Sequence, residues 1–135
     1  MYRHKEIVRV RYSETDKMGF VYYGNYAQYF EVARVEALRV LNISYRDLEE
    51  SGIMLPVRSY NIDYYKPALY DDLLTIDTLI TDLPTAKLRF EYETFNEKGD
   101  LLNKATVVLV FMDAKTGRPI KPPTQFLEKL KPFFN

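Results

Sequence analysis

A chain of 135 residues with 47% hydrophobic and 15% aromatic side chains is long enough to close one core and too short to expect a second, so a single domain over 1–135 is the working assumption. Nineteen basic residues balance nineteen acidic ones, which leaves no cationic excess for a nucleic-acid partner and makes self-association easier. No cysteine and a single histidine, His4, exclude disulfides, a thiol nucleophile and a histidine-rich metal site, so any chemistry must come from carboxylates, hydroxyls and backbone amides.

The first residues, MYRHKEIVRV, are too polar for a signal peptide. No apolar run approaches the ~20 residues that a membrane-spanning helix needs, and a cytoplasmic protein with no membrane partner is expected. From Glu6 to Tyr12, Val8, Val10 and Tyr12 alternate with Arg9 and Arg11, the period of a half-buried strand. A loop follows. Tyr26, Tyr29, Phe30, Ala33, Ala37, Leu38 and Leu41 then recur at three-and-four spacing, which predicts a helix of about 17 residues, roughly 26 Å long. Val32, Val35 and Val40 add apolar surface on its other faces, so the helix is expected to be largely buried. SYRDLEESG reads as a short second helix, with Ser44 as cap and Gly52 as stop.

Four strands are predicted next: Leu55 to Tyr65, Leu73 to Asp82, Lys87 to Phe95 and Leu101 to Asp113. The third alternates Leu88, Phe90 and Tyr92 with Lys87, Arg89, Glu91 and Glu93, so one side of it should be wet. NEKGD after it is a hairpin turn in which Gly99 supplies positive φ. Val107 to Met112 is continuously apolar, which predicts cover on both faces, the outer one from another subunit. A short helical tail from Thr124 to Leu130 ends an α+β pattern, in which a twisted antiparallel sheet of strands up to roughly 33 Å long can wrap the helix.

The loop between the first strand and the long helix, SETDKMGFVYYGNY (Ser13 to Tyr26), carries two carboxylates, a glycine turn and several aromatic rings. Glu14 and Asp16 point the same way if the segment is extended but diverge in a turn. An Asp-x-x-Gly segment ordinarily shapes a turn, and that is the plain reading of Asp16. The loop, however, runs straight into a helix whose first amides lack internal partners and carry the positive end of the macrodipole. A carboxylate beside such donors, near Tyr23 and Gly24, has the parts needed for acyl transfer: a nucleophile or base, and a polarised carbonyl.

The stretch Tyr12 to Tyr26, YSETDKMGFVYYGNY, closely resembles the signature of hotdog-fold acyl-CoA thioesterases of the 4-hydroxybenzoyl-CoA thioesterase and YbgC-like group. YYKPALYDDLLTIDT, from Tyr64 to Thr78, looks like that family's proline-alanine turn, and VFMDAKTGRPIKPP like its last strand and exit. The resemblance implies a hotdog fold: a five-stranded antiparallel sheet around a long central helix, assembled as a homodimer and then a homotetramer with sites at the subunit boundary. It implies hydrolysis of an acyl-CoA substrate without cofactor or metal, with Asp16 as nucleophile or general base and the backbone N–H of Tyr23 polarising the thioester carbonyl. Many YbgC-like members have histidine where this chain has Tyr23, whereas the backbone donor is common to both.

Around these two, Asn25 is the third catalytic candidate, bracing the loop or holding water, with a helix cap as the plain alternative. Tyr22, Gly24 and Tyr26 are candidate substrate contacts, although rings at helical spacing, Tyr29 and Phe30 among them, are ordinarily core. Glu31 points into an acyl pocket or across a dimer interface, or is a satisfied structural carboxylate. Phosphates of CoA require cations; the turn LPTAK offers Lys87, and Arg118, Lys115 and Lys121 are alternatives. Asp71 and Asp72 read as turn residues. Two other classes remain open: a non-catalytic module that binds acyl-CoA or acyl carrier protein, and a hotdog dehydratase, for which His4 at a frayed chain start is poorly placed.

Overall fold

The computed structural model describes Met1–Asn135. In chain order the elements are β1 (Tyr2–Arg9), α1 (Asn25–Arg39), α2 (Tyr45–Glu50), β2 (Ile53–Met54), β3 (Val57–Tyr64), β4 (Leu73–Ile80), β5 (Lys87–Phe95), β6 (Leu101–Val110), β7 (Met112–Asp113) and α3 (Thr124–Leu130). Five strands form one sheet in the order β1-β4-β5-β6-β3, antiparallel throughout. The pair β2 and β7 forms a separate two-residue ribbon. This is the α+β hotdog arrangement.

Period-two patterning sets the faces of the sheet. Leu88, Phe90 and Tyr92 of β5 stand opposite Leu109, Val107 and Ala105 of β6, and all six are buried. Helix α1 lies closest to β1 and β4, keeps Phe30, Ala33, Ala37 and Leu38 with no exposed surface, and stacks the ring of Phe30 on that of Tyr92 of β5 at 4.5 Å. The two alanines let the helix backbone lie close to the strands, because they hold nothing beyond Cβ between the layers. Gly99 adopts φ 84° in the β5–β6 turn and Gly52 φ 88° after α2, as left-handed turn positions require.

Several expectations change. The first strand lies earlier, at Tyr2–Arg9, because the chain beyond it bends into a single 3-10 turn at Tyr12–Glu14. His4 is therefore not frayed: it pairs with Thr78 of β4 and its Nε2 lies 3.2 Å from Glu6 Oε2. Helix α1 has 15 residues, about 22 Å, since tighter bonds from Leu41 to Leu38 and from Asn42 to Arg39 unwind its end and Asn42 turns with φ 60°. It is also less buried than expected, with Val32 exposed on its outer face and Val40 exposed just past its end. Along β6, Val107 and Leu109 are buried but Val108 and Val110 only half so, so one chain covers the inner face alone. At the β3 edge every residue but the half-buried Ile62 is exposed. No helix is long and apolar enough to cross a membrane.

Candidate active site

Asp16 opens a tight hairpin. Its N–H donates to the Phe20 carbonyl at 2.7 Å, and the Gly19 N–H donates to the Asp16 carbonyl at 3.0 Å, with Gly19 at φ 83°. The carboxylate takes part through Oδ1 alone, which accepts the N–H groups of Met18 (2.9 Å) and Phe20 (3.2 Å). The turn reading and the chemical one therefore coexist: one oxygen holds the loop, and Oδ2 has no hydrogen-bond partner in the chain.

The helix entry supplies the complementary half. Tyr22 donates its N–H to the Glu14 carbonyl at 2.9 Å, the Asn25 N–H returns to Tyr22 O at 2.8 Å, and the Tyr26 N–H reaches Tyr23 O at 3.4 Å. Between them, the amides of Tyr23 and Gly24 donate to nothing in the chain. They are the orphan donors expected at a helix start, and Gly24 occupies the N-cap with no side-chain cap above it. A Cβ at Gly24 would lie 2.8 Å from Cε2 of Tyr22, so glycine is what lets that ring fold over the turn. Asp16 and Tyr23 line one cleft of about 340 Å³ together with Phe20, Tyr26, Tyr64 and Lys66. The hydroxyl of buried Tyr26 accepts the Ala68 N–H at 3.2 Å. Burial raises its pKa; the Ala68 N–H opposes this, while Tyr64, Asp72 and Asp16 add to it, so the net shift is upward and the phenol stays neutral.

Glu14 and Asp16 do not point the same way. The 3-10 turn sends Glu14 inward, to 6% exposure, where Oε1 accepts the Arg11 N–H and the Tyr29 hydroxyl, both at 2.8 Å. Its Oε2 accepts Arg11 Nε at 3.0 Å and Nη2 at 2.8 Å. Burial would raise the pKa of this carboxyl, but the backbone and side-chain donors of Arg11 and the Tyr29 hydroxyl outweigh it and hold the group below the usual glutamate range. The sequence pairs Glu14 with Asp16 but assigns it no role of its own. The available signal was Arg11-x-x-Glu14 ahead of a tyrosine on the inward stripe of α1. Lys66 in the cleft was also missed, although it stands in the quoted YYKPA.

The other candidates divide by location. The Asn25 side chain donates Nδ2 to the Glu14 carbonyl at 2.7 Å, so it braces the loop and does not cap the helix. Tyr22 is exposed, with its ring 4.7 Å from that of Tyr23. Asp72 Oδ2 accepts the Leu69 N–H at 2.9 Å and Asp71 takes φ 68°, both as turn residues. Glu31 does not line the Asp16 cleft; it borders a separate pocket of about 180 Å³ with Gln28, Arg34, Val57 and Tyr60.

Lys87 and Arg118 are also apart from Asp16 within one chain. The Leu102 carbonyl accepts the N–H groups of Tyr65 and Lys66 beside the cleft, whereas Lys87 pairs with Val110, eight residues or about 26 Å further along β6. Lys87 there joins Arg58 and Arg89, with Asp82 and Thr85, around a groove of about 410 Å³ floored by Val108. Neither Arg58 nor Lys87 is in an ion pair, while Arg89 meets Glu91 at 3.6 Å. Arg118 lies past that same end of β6, its carbonyl accepting the Asp113 N–H at 2.9 Å. His4 is not among the residues lining the Asp16 cleft.

Residues 10–130 match the family model of the thioesterase-like superfamily. The chain is 36% identical over 121 residues to the putative acyl-CoA thioesterase YneP of Bacillus subtilis, covering 90% of this chain and 88% of that protein. It is 36% identical over 124 residues to the acyl-CoA thioester hydrolase YbgC of Escherichia coli O6:H1, covering 92% of each. Among solved structures, the DHNA-CoA thioesterase of Staphylococcus aureus superposes with a TM-score of 0.86 at 35% identity, over 99% of this chain and 85% of that one.

Proposed function

Because the chain belongs to the thioesterase-like superfamily, we propose that it hydrolyses an acyl-CoA to the free acid and CoA, with Asp16 as the catalytic carboxylate. One observation carries the assignment: Asp16, whose Oδ2 is unbonded, and Tyr23, whose amide is unpaired, line one cleft. As the thioester carbonyl is attacked, negative charge gathers on its oxygen. Amides already free at a helix start can receive that charge without reorganising. Asp16 either attacks the carbonyl carbon, giving a mixed anhydride that water then cleaves, or takes a proton from the attacking water. In both routes the C–S bond breaks and CoA leaves as a thiolate, whose conjugate acid has a pKa near 8.5. Little general-acid help is needed, which suits a cleft lined by tyrosines rather than histidine. Asn25 keeps the helix entry attached to the loop, Tyr22 and Tyr26 wall the approach, and Glu31 meets the distal part of the acyl group or a partner subunit.

The reading extends to a dimer. An exposed strand of eight residues presents unpaired backbone groups that a second copy can satisfy. Antiparallel pairing of two β3 edges about a two-fold axis would set the start of one strand beside the end of the other. The cationic groove at Arg58 would then approach the partner's cleft beside Tyr64, so the CoA phosphates would be met across the boundary by the partner subunit's Arg58, Lys87 and Arg89. Arg118 is a further candidate at that end. Assembly of dimers into a tetramer belongs to the same proposal and is read by sedimentation.

A thiol-release assay over aromatic, short aliphatic and long aliphatic acyl-CoAs tests the activity. Asp16→Asn, which keeps the size and removes the charge, is expected to lower kcat by at least about a hundredfold. Near wild-type hydrolysis by that variant would reject the role of Asp16, and no thiol release from any thioester by the wild type would reject the activity.

A further inference from the structure

We propose that Glu14 is the positioning residue of this site: its buried carboxylate, clamped by Arg11 and Tyr29, fixes its own carbonyl where it tethers Tyr22 and Asn25, and so aims the amide of Tyr23 into the Asp16 cleft. The catalytic consequence rests on the thioesterase reading above, whereas the tether itself does not. Four donors converge on the two carboxylate oxygens, at 2.8 to 3.0 Å. Two more, the Tyr22 N–H at 2.9 Å and Asn25 Nδ2 at 2.7 Å, converge on the carbonyl of the same residue. Glu14 thus ties its own 3-10 turn, closed through Arg11, to two places further along the chain: the helix entry through Tyr22 and Asn25, and the second turn of α1 through Tyr29. Two residues after it comes Asp16, and one residue after Tyr22 comes the first unpaired amide. Both halves of the cleft therefore hang from one residue.

Stability alone does not call for a carboxylate here. The Arg11 guanidinium is exposed, so solvent weakens its pairing with the buried Glu14 carboxylate, and a well-packed apolar side chain commonly matches a buried charge in stability; an apolar side chain, however, has no directed bonds with which to fix a turn. Carbonyl polarisation depends on the direction of the donors, and a loop that tilts by a fraction of a hydrogen bond loses rate without losing its fold.

Three substitutions separate this from a merely structural role. Glu14→Gln places an amide NH₂ against the guanidinium donors, Tyr29→Phe removes one hydroxyl, and Arg11→Met removes an exposed clamp. For each, kcat is expected to fall about tenfold or more with KM changed less than about twofold, since ground-state binding does not use the oxyanion donors. Amide hydrogen exchange supplies the readout that separates positioning from loss of folded protein. The Tyr22 amide should exchange at least about tenfold faster, while the Phe90 amide in the middle of the sheet changes less than about twofold. Equal acceleration of both amides, or wild-type kcat in these variants, overturns the proposal. If Glu14→Gln fails to fold, Tyr29→Phe carries the same comparison at a single-atom change. If the wild type releases no thiol from any thioester, the enzymatic reading fails, and the Tyr22 exchange rate still decides whether Glu14 holds the loop.

Discussion

Two acids separated by one residue, Glu14 and Asp16, have opposite environments. Asp16 keeps one oxygen free at the cleft, whereas Glu14 spends both on internal donors. The folded pKa of Glu14 lies below its ordinary value of 4.5, so the folded state holds this proton less tightly than the unfolded chain does. Its contribution to stability is therefore complete above pH 4.5 and fades as pH falls from there through the lower folded value. Acid titration of the thermal midpoint should show a decline over that window, and Glu14→Gln should flatten it; an identical acid profile in the variant would contradict the assignment. Asp16 was legible in the sequence because the motif around it is distinctive and the amides of a helix start are always unpaired. Glu14 was not, because its partners Arg11 and Tyr29 meet it only after the 3-10 turn has rotated it inward. Nothing in a two-residue spacing reports such a turn.

Helix α1 and strand β3 are the elements that set the geometry. Ala33 and Ala37 have no exposed surface and no room to grow, since the helix backbone lies against the sheet through them. Ala33→Leu is expected to destabilise the chain by about 1–3 kcal/mol through overpacking, read as a lower urea midpoint at unchanged slope; an unchanged midpoint would mean that the layers are less tightly apposed. The three-and-four spacing located this helix well, but its length was overestimated because apolar Val40 and Leu41 continue the pattern past the point where Asn42 turns the backbone. The alternation of β5 was legible residue by residue. That β3 would end up at an edge was not, because edge and centre positions are decided by the order in which strands pair, and that order is not the order of the chain.

For the molecule as a whole, the cleft and the cationic groove lie at opposite ends of the sheet, and the proposed dimer joins them. This predicts complementation. In a mixed dimer of an Asp16→Asn chain with an Arg58→Ala/Lys87→Ala chain, one site combines both defects and the other combines an intact cleft with an intact groove. Mixing two poorly active homodimers should therefore restore about half of the wild-type activity per mixed dimer at low substrate; no gain on mixing would place the groove's action within its own subunit or rule it out. What the sequence by itself determined is the set of local commitments: three helices and the four later strands within a few residues, the glycine turns, and a carboxylate loop leading into a helix start. These follow from periodicities and backbone preferences that act over a few residues. Only the tertiary structure decided which carboxylate faces the cleft and which is buried, that Lys66 joins Asp16 while Lys87 and Arg118 do not, and which strand is left open at the edge. Those outcomes depend on contacts between residues far apart in the chain, whose directions are set when the sheet closes on the helix.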